Sequence, residues 1–492
     1  MRIHMIGICG TGMGSLAVLL ADAGHEVGGS DENVYPPIST MLADRGIPIL
    51  HGYRAEHIQQ PALPPDLVIV GNIASRANPE AQALLSSGIE FLSMPQALGR
   101  LFLQDRHPVV VTGTHGKTTT TALIATMLLD AGRDPSFLVG GVVQGAGTSC
   151  RLGPAGMDRF FVIEGDEYET SFFDKGSKFL HYRPMTGVLT SVEFDHAEMF
   201  ADLAAVEEAF ARFVALIPTA AEGGRLAWCS DDPIASRLAS RCRGEHLSFG
   251  LSAGARILGN VEAVGQEGTV FSVRDDAKDL GLFRMSATGD HNTRNALAAI
   301  AVGLSAGLST EEVRKGIAAY PGVRRRQEIR GVAAGVTVID DFAHHPTAVR
   351  ETIAAIKARF PGRKVWAIFE PRTNTTRRDV FQREYGEAFD HADEVVVAPV
   401  DHPERAPEGR RLSVEQMIAD LTARGISARS LAGVDAIVDL VKEGARSGDV
   451  MLIMSNGAFG GIHDRLLATL EARGAVGASG LSHGSCGESG VL

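Results

Sequence analysis

Residues 109–120 read Val-Val-Val-Thr-Gly-Thr-His-Gly-Lys-Thr-Thr-Thr, and this stretch restricts what the chain can fold into more than any other. Three β-branched residues run into a glycine turn, a lysine and a row of hydroxyls, and a helical pattern follows over 122–129. A strand, a glycine-rich loop and a helix N-terminus in that order make a cradle for phosphate, because free backbone N–H groups and the helix dipole both favour anions. In such a cradle Lys117 supplies a point charge to the β- and γ-phosphates, and the Thr118 hydroxyl holds Mg²⁺. The general phosphate-loop pattern has a glycine five positions before Gly116, where this chain has Val111, so the loop is a shorter version. The alternative is a surface turn that happens to contain Lys and Thr; the strand before it and the helix after it speak against that.

The chain has 492 residues, too many for one hydrophobic core, and about three domains are expected. Its 45% apolar and 22% charged content fits a soluble globular protein. A net charge of −12 and the lack of a basic block exclude a non-specific nucleic-acid binder. Cys9, Cys150, Cys229, Cys242 and Cys486 are scattered, without C-x-x-C spacing, and read as reduced thiols of a cytoplasmic protein. Neither a signal peptide nor an apolar run of membrane-spanning length is recognised.

In the first third, a strand over 3–8 leads through Gly7, Gly10, Gly12 and Gly14 into a helix over 15–23, and a second strand over 26–29 ends near Asp31. An acid about twenty residues after a glycine turn often accepts a ribose hydroxyl. The dinucleotide register fails, however, because Ser15 stands at the last glycine position counted from Gly10. A strand over 67–70 ends in Gly71-Asn72, Asn78-Pro79 opens a helix, and a polar break over 104–108 precedes the phosphate loop.

In the middle, the apolar run 160–163 ends in Glu164-Gly165-Asp166-Glu167-Tyr168, and the run 187–190 ends in Ser191-Val192-Glu193-Phe194-Asp195-His196. Carboxylates at strand C-terminal ends, on the same sheet edge as a phosphate loop, are well placed to hold Mg²⁺. Taken singly, Glu164 reads as a solvated loop acid and His196 as a satisfied polar residue; two such clusters together make that reading poor. Gly289-Asp290-His291-Asn292-Thr293-Arg294-Asn295 opens a helix, with Asp290 or Asn292 as its expected cap. Residues 226–285 look β-rich and carry no evident chemistry. Further on, Arg324-Arg325-Arg326 would by itself be a solvated face. A strand over 336–339 ends in Asp340-Asp341-Phe342-Ala343-His344-His345-Pro346, and strands over 365–369, 394–398 and 450–454 alternate with helices as in a Rossmann-like unit. Residues 475–492 are small, polar and Gly/Ser-rich, and are expected to form a disordered tail.

These motifs, in this order, resemble those of the Mur ligases, the amide-bond-forming enzymes of peptidoglycan synthesis, over about residues 1–470. The resemblance implies an α/β fold of three domains: a Rossmann-like UDP-binding domain (1–106), a central P-loop ATPase domain with a mixed or parallel sheet (107–320), and a Rossmann-like peptide-binding domain (321–474). It implies ATP held by Gly113, Thr114, His115, Gly116, Lys117, Thr118, Thr119, His291, Asn292, Asn295, Arg326 and Asp341, with Asn295 at the adenine, Arg326 at the γ-phosphate and Asp341 at the ribose. Mg²⁺ falls to Thr118, Glu164 and His196, and the UDP-sugar to Gly10, Thr11, Gly12, Met13, Ser30, Asp31 and Asn72. Lys117, Glu164, His196, Arg326 and His344 carry the chemistry, with His344 a candidate base. By position, Arg372, Ser455 and Asn456 contact the peptide end. The chain departs from the family at Ser191, where Asn is frequent. It also has no lysine between Lys178 and Lys278 to supply the carbamylated lysine of some relatives, which fits the muramate:alanine-type branch.

Within the family, the strings at 33–40, 165–168, 178–184, 194–196, 369–372 and 454–461 look like the branch that attaches the tripeptide L-Ala-γ-D-Glu-meso-diaminopimelate to UDP-N-acetylmuramate. The expected reaction phosphorylates the lactyl carboxylate with ATP and then captures the acyl phosphate with the peptide amine. The nearest rival is UDP-N-acetylmuramate:L-alanine ligase; an NAD-dependent oxidoreductase and a non-catalytic UDP-muramate sensor are rivals of other classes. The expected partners are UDP-N-acetylmuramate and the tripeptide, without nucleic acid or membrane, for a cytoplasmic monomer or weak homodimer.

Overall fold

A computed structural model describes residues 1–60 and 64–479 of the chain. Among them, three α/β units follow one another, each built where runs of β-branched and aliphatic residues pair as parallel strands buried on both faces. The first sheet has five parallel strands in the order Ile49–His51, Glu26–Asp31, Arg2–Ile6, Leu67–Val70, Phe91–Ser93. Strand order reverses between Arg2–Ile6 and Leu67–Val70, so a crevice opens at their carboxyl ends, beside Gly7 and Gly71. The strand expected to reach residue 8 stops at Ile6, because Gly7 turns with φ 80°.

In the central sheet of ten strands, His107–Thr112 lies between Thr186–Leu189 and Phe160–Glu164, parallel to both. The phosphate loop therefore leaves the sheet between the two carboxylate-bearing strand ends. Antiparallel strands close the sheet at both edges: Thr148–Arg151 on one, and Gly268–Asp275 with Lys278–Met285 on the other. A short ribbon, Glu169–Ser171 against Asp174–Ser177, reaches toward the first domain, where Gln96 Nε2 donates to Asp174 Oδ2 at 3.4 Å. The last sheet has six strands, five of them parallel neighbours, with Glu328–Ala333 antiparallel at its edge.

The cores divide unevenly. One apolar cluster runs unbroken from Leu16 and Phe102 of the first domain to Phe161, Phe179 and Phe210 of the central one. The central helices Lys117–Asp130 and Asp290–Ser305 share a second cluster, and the last domain has two of its own.

Two local expectations are corrected. The helix at 290 is capped by Gly289, not by the side chain of Asp290 or Asn292; its φ of 98° suits glycine, and Asn292 Nδ2 instead donates back to Thr288 O at 2.9 Å. The last helix, Ile462–Ser479, takes in the first five residues of the stretch expected to be a tail, and the remainder of that stretch, with Cys486, lies outside the described residues.

Candidate functional site

Thr112 ends the buried strand, and the chain turns through Gly113 (φ 131°) and Gly116 (φ 82°) into the helix that starts at Lys117. Both glycines are required by space as well as by φ. A Cβ at Gly113 would strike Thr190 Oγ1, and one at Gly116 would strike Asn295 Oδ1. Gly113 itself does not line the cavity in front of the loop; its carbonyl accepts from Lys117 Nζ at 2.6 Å.

That cavity, about 830 Å³, lies between the central and last domains and is lined by Thr114, His115, Gly116, Lys117, Thr118 and Thr119 of the loop. Lys117 Nζ sits 3.0 and 2.9 Å from the two oxygens of Glu167. Burial works against its charge, but Glu167, Asp166 and Glu164 outweigh that and raise its pKa, so the ammonium is permanent. Thr118 Oγ1 donates to Glu164 Oε1 at 3.1 Å, and Gly140 N–H donates to Glu164 Oε2 at 2.8 Å. Burial raises the Glu164 pKa in spite of Lys117, which marks a carboxylate short of positive charge. A hydroxyl and a charge-hungry carboxylate, side by side at the head of a phosphate loop, are hard oxygen donors that fit Mg²⁺.

His196 stands apart from that pair. Its Nδ1 lies 2.7 Å from the Tyr168 hydroxyl and its Nε2 3.2 Å from Glu167 Oε1, in a left-handed turn with φ 57°. Burial disfavours its charge, yet Glu167 and Asp195 prevail and raise its pKa. Both ring nitrogens thus have protein partners here, and His196 lines the same cavity as Thr118 and Glu164, where its expected place beside the metal stands as a proposal.

From the last domain come Arg326, Asp341 and His344. The Arg326 guanidinium lies over the Phe342 ring, 4.9 Å from its centroid, and faces the cavity. Asp341 accepts from the N–H groups of Gln327 and Ala343, both at 2.8 Å, and burial raises its pKa against the pull of Arg326. His344 Nδ1 is 3.1 Å from Phe342 O. A carbonyl only accepts, so Nδ1 carries the proton and Nε2 keeps a lone pair; burial holds the ring below its usual pKa, hence neutral.

His291 and Asn292 line the cavity wall, and the His291 Nδ1 has no hydrogen-bond partner. Asn295 lines the same cavity; it accepts from Thr120 Oγ1 at 3.1 Å and donates to Asn292 Oδ1 at 3.2 Å. Arg372 and Asn456 line the far end, where Asn456 Oδ1 is a buried acceptor without a donor. Ser455 is corrected. It is fully buried, donates to Glu370 Oε2 at 2.5 Å and, unlike Asn456, does not line the cavity.

A smaller cavity, about 250 Å³, fills the crevice of the first domain and is lined by Gly10, Thr11, Gly12, Met13, Asp31 and Asn72. Asp31 accepts from the N–H groups of Cys9 and Asn33, both at 2.9 Å, and so braces the glycine turn. Ser30 is corrected: it points to the other face of the sheet, where it bonds to the buried Glu80. Sequence order gave no sign that Glu167 would take Lys117. Nor did it reveal the junction of His115 and His345 at Glu193, with Nε2 and Nδ1 at 3.2 and 3.5 Å from its Oε2. A hydrogen bond from the Thr347 N–H to His345 Nδ1 and the approach of His345 Nε2 to Phe194 O account for this ring without an ion.

Three family descriptions match the chain in order: Mur ligase family, catalytic domain, over residues 2–106; Mur ligase middle domain, over 111–303; and Mur ligase, glutamate ligase domain, over 325–457. The chain belongs to the Mur ligase family. It is 39% identical over 470 residues to the UDP-N-acetylmuramate–L-alanyl-γ-D-glutamyl-meso-2,6-diaminoheptandioate ligase of Escherichia coli K12, covering 95% of this chain and 98% of that one. It is 30% identical over 456 residues to the UDP-N-acetylmuramate–L-alanine ligase of Clostridium kluyveri, covering 93% and 95%. Among solved structures, the murein peptide ligase of Psychrobacter arcticus 273-4 superposes with a TM-score of 0.70 at 36% identity, covering 96% of this chain and 99% of that one. This Mur ligase is thus an ATP-dependent amide-bond-forming enzyme with the three-domain architecture of its relatives. No helix among its described residues is long and apolar enough to cross a membrane.

Proposed function

We propose that this Mur ligase joins L-Ala-γ-D-Glu-meso-diaminopimelate to the lactyl carboxylate of UDP-N-acetylmuramate, with ATP driving the reaction through an acyl phosphate. The observation that carries the reading is the buried Lys117 ammonium beside the Thr118–Glu164 pair, at the head of a cavity that extends to Arg372 and Asn456. The higher identity to the tripeptide ligase than to the L-alanine ligase supports the choice of acceptor. The proposed domain bounds are 1–106, 107–320 and 321–474, for a cytoplasmic monomer or weak homodimer.

Carboxylate and triphosphate repel each other, so their approach needs fixed positive charge in a site with little water. Lys117 and Arg326 supply it from opposite walls. A Mg²⁺ held by Thr118 and Glu164 would neutralise charge on the β- and γ-phosphates. The lactyl oxygen attacks the γ-phosphorus, the bond to the β-bridging oxygen breaks, and ADP leaves. The peptide amine then attacks the acyl carbon and inorganic phosphate departs. His344 Nε2, neutral and with a free lone pair, takes the proton that the amine must lose.

Phosphate release with ATP, UDP-N-acetylmuramate and either tripeptide or L-alanine tests the proposal. The expected kcat/KM for tripeptide exceeds that for L-alanine by at least ~10-fold, about 1.4 kcal/mol of transition-state preference. The reverse order would make the enzyme an L-alanine ligase.

A further inference from the structure

The two cavities are lined by different domains, yet one ion pair stands in the lining of both. Lys178 lines the small cavity of the first domain, although it belongs to the central domain, and its Nζ lies 2.7 Å from Oδ2 of Asp166, which lines the large cavity. Three observations say that this lysine has work beyond holding Asp166. Among the described residues lining the small cavity it is the only cation, and the only acid there, Asp31, is committed to the N–H groups of Cys9 and Asn33. Its Nζ also lies 5.7 Å from the centroid of the Tyr168 ring, which keeps the ammonium at the boundary instead of in open water. Finally, Asp166 already has a second donor, the Tyr168 N–H at 3.0 Å, and lies in the field of Lys117, so it does not depend on Lys178 alone.

We propose that Lys178 is the gate cation for the acid of the sugar nucleotide: it binds the substrate carboxylate as that group passes from the small cavity to Lys117, exchanging the Asp166 carboxylate for it. The Asp166 oxygen marks where such a group binds, because the exchange replaces one carboxylate by another on the same ammonium. For the diphosphate of the same substrate the cavity offers a separate cradle, the glycine turn and helix N-terminus at Gly10, Thr11 and Gly12. Lys178 therefore reads the acid, and it distinguishes a sugar nucleotide with a carboxylate from one without.

This inference rests on the proposed sugar-nucleotide substrate. The test measures binding of UDP-N-acetylmuramate and UDP-N-acetylglucosamine, identical except for the lactyl acid, to the full-length wild type, Lys178→Met and Lys178→Arg, with melting temperatures to verify folding. Wild type is expected to prefer the acid-bearing nucleotide. In Lys178→Met its affinity should fall about 10-fold or more while that for UDP-N-acetylglucosamine stays the same, and Lys178→Arg should restore most of the preference. In turnover, KM for ATP should stay unchanged. Equal weakening of both nucleotides, or weakening of neither, would overturn the gate. Failure of the wild type to bind either nucleotide would instead remove the substrate assignment on which it stands.

Discussion

Between the first and central domains, Phe102 meets Phe161 with ring centroids 6.4 Å apart, inside an apolar cluster that ignores the domain boundary. Between the central and last domains the contacts are of another kind. His115 and His345 meet at Glu193, Arg378 donates to Ala197 O at 3.1 Å, Gln327 Nε2 donates to Thr288 O at 3.0 Å, and Phe381 covers His345 and Phe194 at the rim. Separating an apolar joint exposes its area to water at about 25 cal/mol per Å², whereas hydrogen bonds across a polar joint can be exchanged for water at small net loss. The first joint is accordingly the more costly of the two to separate. The crevice of the first domain and the phosphate loop are thereby held in one register, while Arg326, Asp341 and His344 stand on the far side of the polar joint.

Phe102→Ala should have the largest effect on this contrast. Truncating a buried phenylalanine in a shared core is expected to remove about 3–5 kcal/mol of stability, read by denaturant unfolding, while KM for the peptide stays near normal. A loss confined to the first domain, with the central domain melting as before, would break the idea of a shared core. Phe381→Ala at the polar joint should remove only about 1 kcal/mol of stability but raise KM for ATP and peptide, because the joint closes less well. A stability loss as large as that of Phe102→Ala would erase the difference between the joints.

The smallest effect is a pH dependence of the polar joint. Burial, aided by the charge of His115, holds His345 down at about pKa 4 against an ordinary 6.5. Above pH 6.5 neither the packed nor the exposed ring binds a proton; as pH falls toward 4, the exposed ring takes one and the packed ring does not. The closed joint is therefore at full strength above about 6.5 and weakens as pH falls from there to about 4. Hydrogen-exchange protection at 342–347, corrected for the intrinsic pH dependence of exchange, should fall over that interval, while protection at 99–103 stays the same. A joint that tightens on acidification would contradict the packing of His345.

How much of this was legible in the sequence depends on distance along the chain. The strand, turn and helix at 107–130 follow from β-branching, glycine and a helical period, all local, and the structure has them there. Side-chain direction at strand ends was harder to read. Ser30 and Asp31 are consecutive strand residues and cannot both face the crevice, and just past the strand Val450–Met454 the turn sends Asn456 into the cavity while Ser455 bonds to the buried side of Glu370. With both sheet faces buried, no polar alternation survives to reveal which residue is which. Glu167 was hidden among neighbouring acids, since only the turn after Glu164 decides which of them reaches Lys117. The Glu193–His345 junction joins two domains, and no local pattern encodes it.

The central claim is that phosphoryl transfer occurs at the turn 113–118, facing the polar joint, and it is tested most directly by a crystal structure with a non-hydrolysable ATP analogue and Mg²⁺. The account predicts the γ-phosphate within hydrogen-bond reach of Lys117 Nζ, with the ion on Thr118 Oγ1 and Glu164. A triphosphate bound instead in the glycine turn at 7–14, with Lys117 still closed on Glu167, would contradict it.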